Sequence, residues 1–173
     1  VLLGAMPARP FWNSPVLALL FLLSSISTGI AIIMLARTLL HRRGFDTVSE
    51  SDYHESGYIL TASDALVIGF EIVAIFLFVM FAYLTVGDVQ EAVAATLFKG
   101  DLATLFWVVV VVIGLVLPAL VELFYVVPRL LQHRNFSVPW GVEFLVPIII
   151  LAGGFMLRYV VVIAGQITGP VGT

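Results

Sequence analysis

Residues Leu105–Val127 read LFWVVVVVIGLVLPALVELFYVV and contain a single charged side chain, that of Glu122. A helix needs about 20 predominantly apolar residues to cross the hydrocarbon layer of a membrane. Three further runs of similar length and composition occupy residues 16–36, 65–86 and 144–163. The sequence therefore predicts an all-α, polytopic transmembrane helix bundle, with these four full spans in a single membrane domain covering residues 1–173.

The overall composition favours the same class of protein. Of the 173 residues, 61% are hydrophobic and 11% are charged, and the mean hydropathy is +1.14. A soluble domain is closer to half apolar and one quarter charged. The sequence has no cysteine, which excludes cysteine-held iron–sulfur clusters from it. The net charge of −3 offers no basic surface for nucleic acid.

The histidines also exclude one kind of membrane protein. His41, His54 and His133 all lie in polar connections between the apolar runs. A membrane cytochrome of the b type needs axial histidines inside its helices to hold haem. The predicted spans contain none, so this protein is not expected to bind haem.

The beginning of the sequence indicates that a segment precedes it. Val1–Met6 is apolar, lacks an initiator methionine and runs directly into a loop with prolines at positions 7, 10 and 15. A signal peptide would have a basic start and a longer apolar centre. We interpret Val1–Met6 as the end of a preceding transmembrane helix, which predicts that the sequence is the C-terminal part of a longer protein.

The second connection, residues 37–63, is the one long polar stretch between spans. Hydroxyl side chains cap helix N-termini, and carboxylates in the first turn interact favourably with the helix dipole. Thr61 or Ser63 is therefore expected to cap the second span, with Asp64 in its first turn.

Lys and Arg residues near the helix ends predict the orientation. The second and fourth connections carry three and two of them, whereas the first and third carry one each, Arg9 and Lys99. Cytoplasmic loops of membrane proteins are enriched in Lys and Arg. The second and fourth connections are therefore predicted to be cytoplasmic, and the C-terminus is predicted to face outward, on the periplasmic side.

Three ionisable residues lie well inside the apolar runs: Glu71, Glu122 and Arg158. A charge at the centre of a bilayer costs at least ~2.5–3.5 kcal/mol, so each calls for an explanation. At roughly 1.5 Å of rise per residue, both acids lie about 6–9 Å to the cytoplasmic side of their span centres. Arg158 lies on the outward side, about 12 Å from Glu71 along the membrane normal.

Two acids at a similar depth suggest a polar track that carries protons. The predicted track comprises Glu71, Glu122, Tyr83, Tyr125, Arg158 and Tyr159. In the alternative interpretation, each acid is protonated or bonded to a carbonyl or hydroxyl group and only fixes helix packing. For Arg158, bonds to backbone carbonyls or a hydroxyl are favoured over binding of a substrate.

Three stretches of the sequence have residues in a recognisable pattern. The first is GAMPARPFWNSP at residues 4–15, followed by SSISTG at residues 24–29. The second consists of Phe106, Trp107, Gly114 and Pro118, and the third is GFMLRYVVVIAGQ at residues 154–166. Together these stretches resemble the NrfD / polysulfide reductase membrane-subunit family. The resemblance covers essentially the whole sequence, in the order found in the family.

The resemblance implies a haem-free, multi-pass subunit in the bacterial cytoplasmic (inner) membrane. Such subunits exchange electrons between the quinone/quinol pool and a ferredoxin-like iron–sulfur partner, which serves a molybdoenzyme or a multihaem cytochrome. This protein would then be non-catalytic by itself, with no bound metal or cofactor and with quinone or menaquinone as a diffusible substrate. The quinone-contacting positions of the family are expected upstream of Val1.

The first connection is predicted to lie on the outward face, near the partner subunit or the quinone. Its candidate residues are Arg9, Phe11, Trp12 and Asn13. The alternative is a capped loop with an aromatic anchor and an exposed arginine.

Two other functions remain open from the sequence. A small membrane transporter is one, since Pro118 and the Gly153–Gly154 pair could break helices as transporters do. A purely structural membrane anchor is the other.

Overall fold

The computed structural model describes residues 9–44, 49–85, 87–132 and 138–168, and these form helices joined by short connections. Four helices are long and apolar enough to cross a membrane. The predicted all-α bundle with four full spans is therefore confirmed, while Val1–Met6 and Val86 lie outside the described residues. The elements are a 3-10 turn at Pro10–Trp12, α1 at Pro15–Arg42, α2 at Glu50–Leu84, α3 at Asp88–Val93, a π-helical turn at Ala94–Phe98, α4 at Leu102–Thr104, a π-helical stretch at Leu105–Val116, α5 at Leu117–Gln132 and α6 at Trp140–Ile167.

Residues Leu102–Leu131 act as one continuous span, which we call the third long helix. It contains α4, the π-helical stretch and most of α5. The bundle is arranged so that α1 packs against α2 and α6, and the third long helix packs against α6 and α2. Many large apolar side chains, such as Phe76 and Phe124, point away from the bundle at 64% and 73% exposure, as expected where lipid or another membrane helix covers the surface.

The start of α2 differs from the sequence-based expectation. The helix begins at Glu50, where the Ser49 side chain accepts a hydrogen bond from the Asp52 backbone N–H at 3.3 Å. The predicted cap at Thr61 or Ser63 is therefore wrong, because hydroxyl residues do not stop a helix that can continue beyond the membrane. With 35 residues, α2 extends about 52 Å, well beyond the roughly 30 Å hydrocarbon layer.

A backbone contact joins α6 to the third long helix. A Cβ atom built on Gly153 would lie 2.5 Å from the Gly114 Cα, and one built on Gly114 would lie 2.7 Å from the Gly153 Cα. Small residues allow membrane helices to approach this closely, and the resulting van der Waals packing stabilises their association. The close contact of the two glycines fixes the position of α6 along the third long helix.

Arginine side chains join neighbouring helices at the end of the bundle that is predicted to be cytoplasmic. Each of three guanidinium groups lies 4.1 Å from the centre of an aromatic ring on another helix. Such cation–π contacts contribute about 0.5–1 kcal/mol each at exposed sites. The pairs are Arg37 with Tyr53, Arg42 with Trp140 and Arg129 with Tyr58.

Candidate functional site: buried carboxyl groups

Three carboxyl side chains are buried inside the bundle. Asp64, Glu71 and Glu122 are exposed by 0%, 3% and 2%. The sequence indicated the two glutamates as intramembrane charges but suggested a first-turn position for Asp64. Since α2 begins at Glu50, Asp64 instead lies in the helix interior.

The spacing of buried residues on α2 explains why Asp64 faces inward. Buried positions include 57, 61, 64, 68, 71, 75, 78 and 82, alternately four and three residues apart. This is the heptad spacing of a helix face that packs against a neighbour. Asp64 and Glu71 lie on the same face, two turns or about 10 Å apart. The pattern was present in the sequence, but it becomes informative only when the helix is extended toward Glu50.

Asp64 and Glu122 form a pair of carboxyl groups between α2 and α5. The Ser27 Oγ of α1 donates a hydrogen bond to the Asp64 Oδ1 at 2.9 Å. The carboxyl groups of Asp64 and Glu122 interact with each other. Neither Glu122 oxygen, nor the Asp64 Oδ2, has a hydrogen-bond partner of good geometry among the described residues. Ionised carboxylates are acceptors only, so the two groups hydrogen-bond each other only when one of them carries a proton.

A small cavity adjoins Glu122 on the side facing the second and fourth connections. It measures about 20 Å³, which is room for about one ordered water molecule. Its polar lining comes from all four long helices: Arg37, Thr38, Thr61, Glu122, Tyr125 and Glu143. The Nε atom of Arg37 is buried and has no hydrogen-bond partner among the described residues.

The other side of this cavity is formed by the side chains of Arg37 and Glu143. A guanidinium nitrogen of Arg37 lies 3.6 Å from a carboxylate oxygen of Glu143. Arg37 also donates to the Tyr53 carbonyl at 2.5 Å and to the Ser56 Oγ at 3.1 Å. The Tyr53 hydroxyl donates to the Glu143 Oε2 at 2.9 Å. Gly57 leaves the space for this cluster, since a Cβ there would be 2.6 Å from the guanidinium. The sequence alone suggested that Arg37 lies in a connection and indicated no role for Glu143.

Glu71 lies in a separate site between α1, α2 and α6. The Ser24 hydroxyl adjoins its carboxyl group, and Arg158 interacts with it electrostatically. Arg158 donates to the Gly154 carbonyl at 2.8 Å and to the Ser25 Oγ at 3.3 Å. These are a carbonyl and a hydroxyl, the kinds of partner that the sequence favoured for Arg158. The structure thus places Glu122 beside Asp64 and Glu71 beside Ser24 and Arg158, and Asp64 interacts electrostatically with both glutamates.

The three tyrosines of the predicted track are dispersed. Tyr125 is half-buried and lines the cavity beside Glu122. Tyr83 is 57% exposed and its ring packs against Phe98 at 5.8 Å, and Tyr159 is 46% exposed. Tyr83 and Tyr159 therefore lie on the outer surface of the bundle, away from the buried carboxyl groups.

At the end of the bundle opposite to the Arg37–Glu143 ion pair, the first connection is hydrogen-bonded to the C-terminal end of α6. Arg9 donates to the carbonyls of Gly165 at 3.2 Å and Gln166 at 2.8 Å. The Trp12 Nε1 donates to the Val161 carbonyl at 3.0 Å. Carbonyls in the last turn of a helix have no partner within the helix, so these side chains supply the missing donors. Whether this face meets a partner or a quinone stays a prediction.

The other two residues predicted for this face differ in burial. Phe11 is only 1% exposed, and its ring packs edge-on against Phe78 at 5.7 Å. Asn13 is half-buried in the turn that precedes α1. Phe11 therefore contributes to the core of the bundle rather than to an open surface.

The arrangement of buried groups is suited to holding and transferring protons. Carboxyl groups bind and release protons, and hydroxyl groups such as that of Ser27 both donate and accept hydrogen bonds. Within residues 9–44, 49–85, 87–132 and 138–168, no three His, Asp or Glu side chains are grouped so that they could hold a metal ion.

Comparison with known proteins identifies the family. The family model described as polysulphide reductase, NrfD, matches residues 1–170. The sequence is 36% identical over 165 residues to the C subunit of polysulfide reductase from Wolinella succinogenes, covering 95% of this protein and 48% of that relative. It is 36% identical over 172 residues to an NrfD homolog of Haemophilus influenzae, covering 96% and 47%. It is 30% identical over 172 residues to NrfD of Escherichia coli, covering 96% and 48%.

The chain thus spans about half the length of the curated relatives that it matches. No solved structure matches it. The family model matches nearly all of its residues, and the relatives align with nearly the whole chain. The aligned region contains the four helices that could span a membrane. On these grounds the chain belongs to the NrfD polysulphide reductase family.

Proposed function

We propose that the protein is part of an integral membrane subunit of a respiratory oxidoreductase complex. In this proposal the subunit exchanges electrons between the quinone pool and an iron–sulfur partner subunit, and it binds no metal of its own. Family membership supports the proposal. So does the name of the Wolinella relative, which designates one polypeptide among several of a polysulfide reductase.

The observation that carries the proposal is the burial of Asp64, Glu71 and Glu122 in an otherwise apolar bundle. Quinones take up protons when they are reduced, and quinols release protons when they are oxidised. A subunit that handles them inside a membrane therefore needs side chains that hold protons away from water. A purely structural anchor has no such need, and each buried charge costs at least ~2.5–3.5 kcal/mol at the bilayer centre.

The proposed partners follow from the family and the predicted orientation. The iron–sulfur subunit is proposed to be ferredoxin-like, to bind the outward face of the inner-membrane subunit and to serve a molybdoenzyme or a multihaem cytochrome. Arg9 and Trp12 use their hydrogen bonds within the protein itself. Their proposed role is therefore to fix the shape of the outward surface that the partner contacts.

The proposal is tested on the complete subunit, purified with its associated proteins in mild detergent. A reduced quinol analogue is added without oxygen, and the iron–sulfur centres are followed by electron paramagnetic resonance. We expect an iron–sulfur protein to copurify, and its centres to change redox state on addition of quinol or quinone. A subunit that purifies alone would favour the transporter, and an intact complex that does not respond to quinol or quinone would favour the structural anchor.

A second experiment tests the outward surface. Replacing Arg9 and Trp12 with alanine releases the C-terminal end of α6 and should weaken association with the partner. The matched control is Lys99→Ala, which removes an exposed cation from the third connection, predicted to lie on the same side. Complexes of unchanged stability after the double replacement would refute the proposed role of Arg9 and Trp12 in shaping this surface.

A further inference from the structure

Unpartnered polar atoms meet at the cavity between Arg37 and Glu122. The residues that line it include Glu122, with its two carboxyl oxygens, and Arg37, with the Nε atom of its guanidinium group. All three atoms are buried and have no hydrogen-bond donor or acceptor of good geometry among the described residues. Buried polar groups in proteins are nearly always paired with protein atoms or with ordered water. The cavity of about 20 Å³ has room for such a water molecule.

We propose that Asp64 and Glu122 share a proton, which they exchange with water through this cavity, and that the Arg37–Glu143 ion pair closes the cavity. The proton would come from the side of the membrane where the second and fourth connections lie, predicted to be cytoplasmic. This inference rests on the proposed function and deepens it, because it names the residues that hold a proton and the route by which it enters.

The surroundings of the pair require that it holds a proton. Ser27 gives its hydroxyl hydrogen to Asp64, and no Lys or Arg among the described residues forms an ion pair with Asp64 or Glu122. Two adjacent carboxylates in a low-dielectric interior repel each other and are poorly solvated, so one proton is retained between them. The charged and titratable groups that face the pair from the packed helices are Arg37 of α1, Glu71 of α2, Tyr125 of α5 and Glu143 of α6.

The transfer step itself is simple. A hydronium ion in the cavity gives a proton to a Glu122 carboxylate oxygen, so one O–H bond of the hydronium breaks and one O–H bond on Glu122 forms. The pair, which already shares one proton, then carries no net charge instead of one negative charge, and a neutral water molecule remains. Release to the same cavity is the reverse of this step.

The ion pair is placed so that it can act as a gate. The side chains of Arg37 and Glu143 are only 14% and 12% exposed, and both line the cavity. Arg37 is held by the Tyr53 carbonyl and Glu143 by the Tyr53 hydroxyl, so one residue of α2 keeps both in place. Water reaches the cavity from this side when the ion pair separates.

Ser27 connects the pair to the second buried site. Its hydroxyl donates to Asp64, and Ser27 also lines the smaller cavity beside Glu71. A hydroxyl group can pass a proton on by accepting one hydrogen bond while donating another. Ser27 therefore lies between the Asp64–Glu122 pair and the cavity that Glu71 also lines.

The shared proton is tested by infrared spectroscopy of the complete subunit in its complex, reconstituted into liposomes. A protonated carboxyl group has a C=O stretching band that an ionised carboxylate lacks and that shifts in heavy water. We expect Glu122→Gln and Asp64→Asn each to remove the same band from the wild-type spectrum. The control is Glu55→Gln, which makes the same chemical change at an exposed position of α2 and should leave the band unchanged.

A third variant tests the shared proton even if the two carboxyl variants misfold. Ser27→Ala keeps both acids but removes the hydrogen bond to Asp64, so the band should shift in frequency without disappearing. A band that is unaffected by Glu122→Gln, by Asp64→Asn and by Ser27→Ala overturns the shared proton.

The gate is tested by the rate of hydrogen–deuterium exchange of the same band. Glu143→Gln removes the ion pair with Arg37, and we expect exchange to be about tenfold faster, as for the loss of a hydrogen bond to a charged group. Glu55→Gln should exchange at the wild-type rate. An unchanged rate in Glu143→Gln overturns the gate.

Measurements on the same preparation distinguish a failure of the proton site from a failure of the proposed function. Quinol-dependent reduction of the iron–sulfur partner without the carboxyl band rejects the proton site and leaves the proposed function standing. The carboxyl band without any quinol-dependent reduction supports the proton site and rejects the proposed function.

Discussion

Replacing Gly153 with alanine tests the backbone contact that positions α6 in the bundle. The added Cβ would lie 2.5 Å from the Gly114 Cα and 3.2 Å from the Gly114 carbonyl carbon and oxygen. Carbon atoms in contact are normally about 3.5–4.0 Å apart. Because the obstructing atoms belong to the backbone, no side-chain rotation relieves the clash, and the two helices must separate by roughly 1–1.5 Å.

The size of the effect follows from two opposing contributions. Overpacking a well-packed site costs typically ~1–3 kcal/mol, and a backbone obstruction belongs at the upper end of that range. Alanine is favoured over glycine in a helix interior by ~1 kcal/mol, which offsets part of the cost. We therefore expect Gly153→Ala to lower the free energy of unfolding by about 2 kcal/mol.

The assay is unfolding of the complete subunit by sodium dodecyl sulfate in mixed micelles, compared with Gly69→Ala. A Cβ built on Gly69 has nothing within 4 Å among the described residues, so this control should be neutral or slightly stabilising. Gly114→Ala should resemble Gly153→Ala, and the double variant should cost less than the sum, since one Cβ already separates the helices. Equal stability of Gly153→Ala and Gly69→Ala would refute the contact.

Further substitutions test other contacts of the bundle by the same unfolding measurement. Trp12→Phe keeps an aromatic ring but removes the five-membered ring whose N–H bonds to the Val161 carbonyl, and should cost at least about 0.5–1.5 kcal/mol; unchanged stability would contradict this expectation. Gly57→Val places a branched side chain where the Arg37 guanidinium lies and should cost about 1–3 kcal/mol, whereas Gly69→Val serves as its control. Ser27→Ala leaves a buried acid without its hydroxyl donor and should cost about 1–3 kcal/mol, an expectation that wild-type stability would contradict.

Much of the fold could be read from the sequence because membrane insertion depends on local composition. A run such as Leu105–Val127 is apolar enough to form a span whatever its neighbours are, and the helix of Leu102–Leu131 contains it. The ends of the helices were less predictable. Residues 50–64 carry charges and hydroxyl groups, which lower mean hydropathy but do not prevent a helix from extending beyond the membrane, and α2 therefore begins at Glu50.

The candidate site was only partly predictable. Burial of Glu71 and Glu122 followed from their positions inside apolar runs, and bonds from Arg158 to a carbonyl and a hydroxyl followed from the cost of a charge in the bilayer. Depth along the membrane normal suggested that the two glutamates share a site. The structure instead pairs Glu122 with Asp64 and places Glu71 beside Ser24 and Arg158.

The reason for this difference lies in helix geometry. Sequence position gives the height of a residue in the membrane, because each residue adds about 1.5 Å along the helix axis. Which residues meet across helices depends also on the rotation of each helix about its axis and on the neighbour that it faces. Contacts such as that of Gly114 with Gly153 set those rotations. Apolar runs and charges therefore specify the spans and their buried acids, whereas packing between helices specifies that Asp64 meets Glu122.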